Sequence, residues 1–328
     1  MAVPFTSRLL LACVAFSVPV FGANYSVAIL QRGATPALSL ANPVGSGYSP
    51  CVFSFNPGWI IASETVPKTA ILFRAAQCPT AFGGTVDHLL LAYCDGNGVC
   101  NDAQPYPSNL PANTQDPRII YEEGTGCYLM YVFAPGTGQS TVYLYQSPTP
   151  LDGHSWALLA GPLPWHRNGC VILRDDGTHY VIFGEAGPLP GLGIATTKDF
   201  VNYTVLNTTW LVKDPLQGEV VIEASTAPIR LSTGDYLFFY SAGTTGWVAN
   251  GNYTGGWLIL SGANPTVILQ HSKQHLFVAS TDYEIGNGKY PVQRNRTIFV
   301  TATVPVAGSV DKFRCESQRR RHASRIDW

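Results

Sequence analysis

The sequence predicts an all-β fold, a five-bladed β-propeller, and three observations carry the prediction. Gly and Pro are frequent (32 and 24 of 328 residues), aromatic residues reach 12%, and apolar residues fall in short runs rather than at helical spacing. Four segments share one shape: an apolar run, a Gly-containing turn, then an apolar or aromatic run. They read CVFSFNPGWIIASETVPKTAILFRAA, DPRIIYEEGTGCYLMYVFA, GCVILRDDGTHYVIFGEAG and STAPIRLSTGDYLFFYSAG. The tyrosines after the turns, Tyr128, Tyr180 and Tyr236, recur 52 and 56 residues apart. Hairpins at such a period cannot bury their faces alone and must stack as blades around an axis. A β-sandwich would carry no long internal period.

The elements follow in order. Residues 1–23 hold Arg8, the apolar run LLLACVAFSVPVF and the small pair Gly22 and Ala23, which read as a secretory signal. The alternative for this stretch is a buried N-terminal strand. Residues 24–312 are expected to form one propeller domain, with hairpin turns at Asp176-Gly177 and Gly234-Asp235. A fifth unit is expected from GGWLIL through TIFVTATV. Residues 313–328 are read as a solvated basic tail, on the strength of Arg319, Arg320, Arg321 and His322.

Composition excludes several classes. Net charge is −1 and charged residues make up 12%, so no basic stripe exists for a nucleic-acid partner. No segment after the signal has the length of apolar sequence, roughly 18 residues, that a membrane helix needs. Asn24, Asn202, Asn207, Asn252 and Asn295 each open an Asn-x-Ser/Thr triplet, the mark of a secreted glycoprotein. In that oxidising setting Cys94–Cys100 is the first disulfide expected, with Cys51–Cys78 and Cys127–Cys170 next and Cys315 left over. No Cys or His pair has zinc-ligand spacing, so no metal and no cofactor is expected.

Residues at matched positions of successive blades converge on the central funnel. Asp116 stands beside Pro117 and Arg118 at the mouth of the second repeat, whereas an Asp-Pro pair by itself more often only opens a turn. Glu223 precedes a strand in the fourth repeat, and Glu185 ends one in the third. Glu122, Glu123, Asp175, Asp176 and Asp235 fall in the turns and are expected in solvent.

Further motifs resemble those of glycoside hydrolase family 130, the β-mannoside phosphorylases and β-1,2-mannosidases. FNPG followed by ILFRAA is similar to the family's Asn-Pro and strand-end Arg. LLLAYCDGNGV, QDPRII and LGIATTKDFVNY resemble its Asp-Gly turn, its Asp-Pro-Arg and its Lys-Asp strand. YTGGWLILSGANPTVILQHSKQHLFVASTDYE, residues 253–284, keeps its Tyr-x-x-Gly, Asn-Pro and closing Tyr-Glu. The sequence departs from the phosphate-binding positions: VIFGE and FFYSAG place Glu185 and Ser241 where a base and a His would stand. Gln270-His271 replaces an Arg, and His166-Arg167-Asn168 replaces the third-blade Lys/Asn-Asp.

The resemblance implies an inverting glycosidase acting on an oligosaccharide or polysaccharide. Asp116 would be the general acid and Glu223 or Glu185, with Glu223 preferred, the base that activates a water, the two carboxyl groups standing about 6.5–9.5 Å apart. Arg74 and Arg118 would orient sugar hydroxyls or hold Asp116 ionised. His166, Asn168, Ser241 and Tyr253 complete the expected substrate contacts, while Trp59, Trp165 and Trp247 are candidates for stacking on sugar faces. A phosphorylase and a non-catalytic glycan-binding propeller are the competing readings.

Overall fold

A computed structural model describes residues 12–15, 25–29, 50–52, 58–61, 69–77, 86–94, 104–135, 141–184, 191–244, 253–281, 285, 298–305 and 313–318. Two short strands come first, β1 (Ala12–Ala15) and β2 (Ala28–Ile29). The first repeat supplies β3 (Pro50–Val52), β4 (Gly58–Ile61), β5 (Thr69–Gln77), β6 (Val86–Cys94) and β7 (Gln104–Pro105). The second supplies β8 (Gln115–Glu122), β9 (Cys127–Ala134), β10 (Thr141–Ser147) and β11 (Ala157–Ala160). The third supplies β12 (Cys170–Ile172), β13 (His179–Phe183), β14 (Gly191–Thr197) and β15 (Tyr203–Val212). The fourth supplies β16 (Glu219–Ala224), β17 (Ile229–Arg230), β18 (Tyr236–Thr244), β19 (Tyr253–Leu260) and β20 (Ile268–His271). Last come β21 (Phe299–Pro305) and β22 (Phe313–Gln318).

These strands form five antiparallel sheets of four or five strands, each a blade. In the second, third and fourth blades the chain runs outward from a first strand, β8, β12 or β16, to a last one, β11, β15 or β20. Successive blades pack face to face: β4 on β8, β14 on β16, β18 on β21, and β21 back on β4. Side chains of the second and third blades share one core, which includes Leu129, Val142, Val171 and Val181. The ring is therefore closed, and the molecule is a β-propeller.

Period-two alternation explains why each blade buries both faces. Along β18, Tyr236, Phe238, Tyr240 and Ala242 enter the core shared with the third blade. The intervening Leu237 and Phe239 enter a second core with Trp257, Phe277 and Val300. Phe238 and Phe239 are fully buried, and each such side chain contributes roughly 1.5–3 kcal/mol. The tight turns between strands use Gly177 and Gly234 at φ 72° and 87°, a left-handed backbone that glycine adopts without a Cβ clash.

Three boundaries differ from the sequence-based expectation. The segment GGWLIL belongs to β19 of the fourth blade, because it pairs along its length with β18, from Tyr236↔Leu260 to Gly243↔Tyr253. The fifth blade is instead assembled from both chain ends in the order β2-β1-β22-β21. Its β22 occupies residues 313–318, so the sheet continues into the stretch expected as tail. The run FRCESQ is mostly polar, with Phe313 and Cys315 as its apolar residues, and pairing with β21 rather than hydropathy makes it a strand. At the other end, Ala12–Ala15, inside the expected signal, pairs with β22.

Candidate active site

Asp116 sits in a bulge of β8. Gln115 pairs with Phe133 and Arg118 with Tyr131, so Asp116 and Pro117 together oppose the single residue Val132. The backbone of Asp116 is left-handed at φ 54°, an uncommon state for a non-glycine residue. Bulges of this kind bend a strand and re-aim a side chain, and strained backbone concentrates at working sites. Here the carboxylate is turned inward and is 1% exposed.

Two guanidiniums meet it. Arg167 Nη1 lies 2.7 Å from Asp116 Oδ2, and Arg74 Nη1, from β5, lies 3.4 Å from Oδ1. Arg167 stands with Asn168 on the loop before β12, both left-handed at φ 64° and 55°. That loop is pinned by Gly184 N donating to the Arg167 carbonyl (3.0 Å) and Trp165 Nε1 donating to the Asn168 carbonyl (2.8 Å). The Arg167 guanidinium also lies 4.3 Å from the centre of the Phe133 ring, a cation–π contact.

A second carboxylate completes the cluster. Glu223, near the end of β16, is buried; its Oε1 accepts from Asn168 Nδ2 at 3.2 Å and from Arg118 Nη2 at 3.5 Å. Arg118 Nη2 also donates to the Ala224 carbonyl at 3.3 Å. The second and fourth blades are not neighbours in the ring, so an Arg118–Glu223 contact requires both side chains to face the common axis. Arg118 Nε and Nη1 and Asn168 Oδ1 are buried with no hydrogen-bond partner. Buried orphan donors and acceptors are costly, and sites that await a polar ligand carry them.

The cluster thus joins five charged side chains: Asp116 and Glu223 with Arg74, Arg118 and Arg167. Among the described residues the cations outnumber the anions by one. Such a centre can hold a carboxylate for proton transfer, donate to sugar hydroxyls, or face an anion.

Of the expected residues, Asp116, Glu223, Arg74, Arg118 and Asn168 come together. His166 is exposed, with its ring edge-on to Phe133 at 5.5 Å. Ser241 is buried opposite Glu223 in the ladder, but its hydroxyl is 2.7 Å from that of Ser225, which in turn donates to the Glu223 carbonyl at 3.3 Å. It supports the Glu223 backbone. Tyr253 is buried at the start of β19, where its carbonyl accepts from Ile298 N at the junction with the fifth blade. Trp165 is buried, stacked on Phe183 at 4.7 Å, and serves the core rather than a sugar face. Glu185 and Trp247, and the side chain of Trp59, lie outside the described residues.

Gln270 stands on β20, the outer strand of its blade, where its amide accepts from Tyr25 N and donates to the Tyr25 carbonyl, both at 2.8 Å. It clamps the N-terminal segment, and its replacement of an Arg has no bearing on the centre. No signal in the sequence marks Arg167 as a site residue: the resemblance points to its neighbours His166 and Asn168, and only the loop geometry brings Arg167 to Asp116.

The expected Cys127–Cys170 disulfide is absent; both thiols are free. Cys127 pairs with Glu122 at the outer end of the β8–β9 hairpin, whereas Cys170 lies against Arg118, four residues back along β8. Four residues of strand span about 13 Å, beyond the reach of a disulfide. The Cys94–Cys100 and Cys51–Cys78 pairs fall outside the described side chains. Among the described residues, no His, Cys, Asp and Glu side chains group to hold a metal ion, and no helix is long and apolar enough to cross a membrane.

The propeller fold is one shared with carbohydrate-active enzymes of known structure. No family model matches the sequence, and no curated protein matches it. Among solved structures, one belongs to glycoside hydrolase family 130, described as mannoside phosphorylases that include hydrolases targeting β-1,2-mannosidic linkages in Candida mannan. It is 18% identical with a TM-score of 0.65, over 97% of this chain and 96% of that one. A glycosyl hydrolase from Bacteroides ovatus is 17% identical with a TM-score of 0.64, over 96% and 98%. The β-1,2-mannobiose phosphorylase of Listeria innocua, in complex with β-1,2-mannobiose, is 14% identical with a TM-score of 0.63, over 85% and 92%. The chain has the fold of the family 130 propellers.

Proposed function

We propose that the protein is a secreted glycoside hydrolase acting on β-mannosides or related oligosaccharides with inversion of the anomeric carbon. The observation that carries the reading is the convergence of Asp116 and Glu223, from non-adjacent blades, on one buried centre lined by arginines. A glycosidase needs an acid for the leaving oxygen and a base for water. Asp116 fills the first role and Glu223 the second. Arg118 and Asn168 hold Glu223 in place, and their orphan atoms are suited to sugar hydroxyls. The likeness in fold to hydrolases and phosphorylases of mannosides supports the substrate class.

A phosphorylase is the second reading, favoured by the three guanidiniums at the centre, which could neutralise a phosphate. Hydrolysis is preferred because Glu223 stands in the same centre. A carboxylate there repels a dianion yet polarises water without needing a counter-charge. Proton NMR of the first product from a β-1,2-manno-oligosaccharide, with and without phosphate, tests this. Free mannose of inverted configuration at a phosphate-independent rate is expected. A mannose 1-phosphate signal would establish the phosphorylase. Asp116→Asn, which keeps the shape of the side chain, should lower turnover about 10²-fold or more in the same assay.

A further inference from the structure

We infer that Arg167 sets the protonation of Asp116 and gives way when a sugar binds, making it a positioning residue for the acid. The inference rests on the reading of Asp116 as a general acid, and it resolves a difficulty that the geometry raises. An acid must enter the reaction protonated, yet Asp116 is faced by Arg167 at 2.7 Å and by Arg74 at 3.4 Å. A cation that close favours the carboxylate form. Among the described residues the other charged groups at the centre, Arg118 from β8 and Glu223 from β16, are engaged with each other, and the ring of the exposed His166 lies edge-on to Phe133 at 5.5 Å.

The two arginines are not equivalent. Arg74 projects from the middle of the long strand β5, where it pairs with Leu89 of β6. Arg167 projects from a loop of left-handed residues, is the more exposed side chain at 23% against 13%, and rests on the face of Phe133. It is the more accessible of the two. An entering sugar hydroxyl can take over its hydrogen bond while the guanidinium slides along the aromatic face. Asp116 then loses one cation and gains a proton from solvent. In the chemical step that proton passes to the leaving oxygen as the glycosidic C–O bond breaks. Water forms the new bond to the anomeric carbon and gives its proton to Glu223, which releases it to solvent, so the next turnover starts with both carboxylates ionised and Asp116 beside Arg167 again.

The pH profiles test this. For an acid that must be protonated, the rate falls above its pKa; kcat/KM reads the free enzyme and kcat the complex. In the wild type the falling limb of kcat/KM should lie at lower pH than that of kcat. Arg167→Met should move the kcat/KM limb up by about one pH unit or more and close the gap, the shift expected for losing one adjacent cation. Arg167→Lys, which keeps the charge, should restore most of the wild-type profile. A readout independent of turnover is the 13C NMR titration of Asp-labelled protein, with Asp116→Asn used to assign the signal. The Asp116 carboxyl should titrate at higher pH in Arg167→Met. Unchanged limbs and an unchanged carboxyl titration in folded Arg167→Met overturn the inference. If the wild type cleaves no glycoside, the functional reading fails, and the NMR titration still decides whether Arg167 controls Asp116.

Discussion

Cys170 shows how burial and charge compete at a single residue beside the centre. Its thiol is fully buried against Arg118, which favours a thiolate, yet burial dominates and pushes the pKa from 9.0 up to about 12. The thiol should therefore resist alkylation in the native protein at pH 8 and react only after unfolding. A raised pKa also fixes the sign of the linkage: the contribution is complete below pH 9 and is lost as pH rises toward 12, where the unfolded state releases its proton first. Stability should fall across that window by up to about 1.4 kcal/mol per pH unit from this group. Urea melts of wild type and Cys170→Ala at pH 8 and pH 10.5 isolate the effect, since other titrating groups are common to both. Equal alkaline losses in the two proteins would show that Cys170 is not the source.

At the scale of elements, the centre depends on how closely the third blade approaches the second. Gly169 joins the Arg167-Asn168 loop to β12, and a Cβ there would stand 2.5 Å from Cδ1 of Tyr131. Tyr131 cannot easily yield: it is buried, and its hydroxyl lies 3.1 Å from that of Tyr203. Gly169→Ala should cost about 1–3 kcal/mol, the usual range for overpacking a core. Because the same shift displaces Asn168 from Glu223, activity should drop even where the variant is fully folded. The urea midpoint, at constant slope, measures the first effect, and turnover at low temperature the second. An unaltered midpoint would mean that the loop has room that the 2.5 Å approach denies.

For the whole molecule, the question is how the ring closes. Tyr25 is buried in the core of the fourth blade, its main chain clamped by Gln270 and its hydroxyl bonded to Asp235. The expected mature start near Asn24 retains that anchor. It also removes β1 and leaves β22 as an edge next to β21. Mass spectrometry of the protein recovered from a eukaryotic culture medium should give an N-terminus near Asn24 and N-glycans on at least two sequons. Asn202 and Asn207 are exposed on the outer side of the third blade, where a glycan meets no packed surface. Retention of residues 1–23 in the secreted protein would instead make β1 a permanent member of the fifth blade and refute the signal.

The sequence by itself determined the fold class, because period-two strands and glycine turns at a fixed spacing are local signals that each blade repeats. It also marked Asp116, Glu185 and Glu223 as residues to watch, from their places at strand ends in successive repeats, with their roles supplied by the family resemblance. Only the tertiary structure decided three further points. The bulge that turns Asp116 inward depends on a register between β8 and β9 that no local pattern encodes. The partnership of Arg167 with Asp116 spans 51 residues and rests on left-handed backbone that Arg and Asn rarely announce. The closing blade draws on both chain ends, and β22 becomes a strand through its neighbours' hydrogen bonds, which its mostly polar run gives little means of foreseeing.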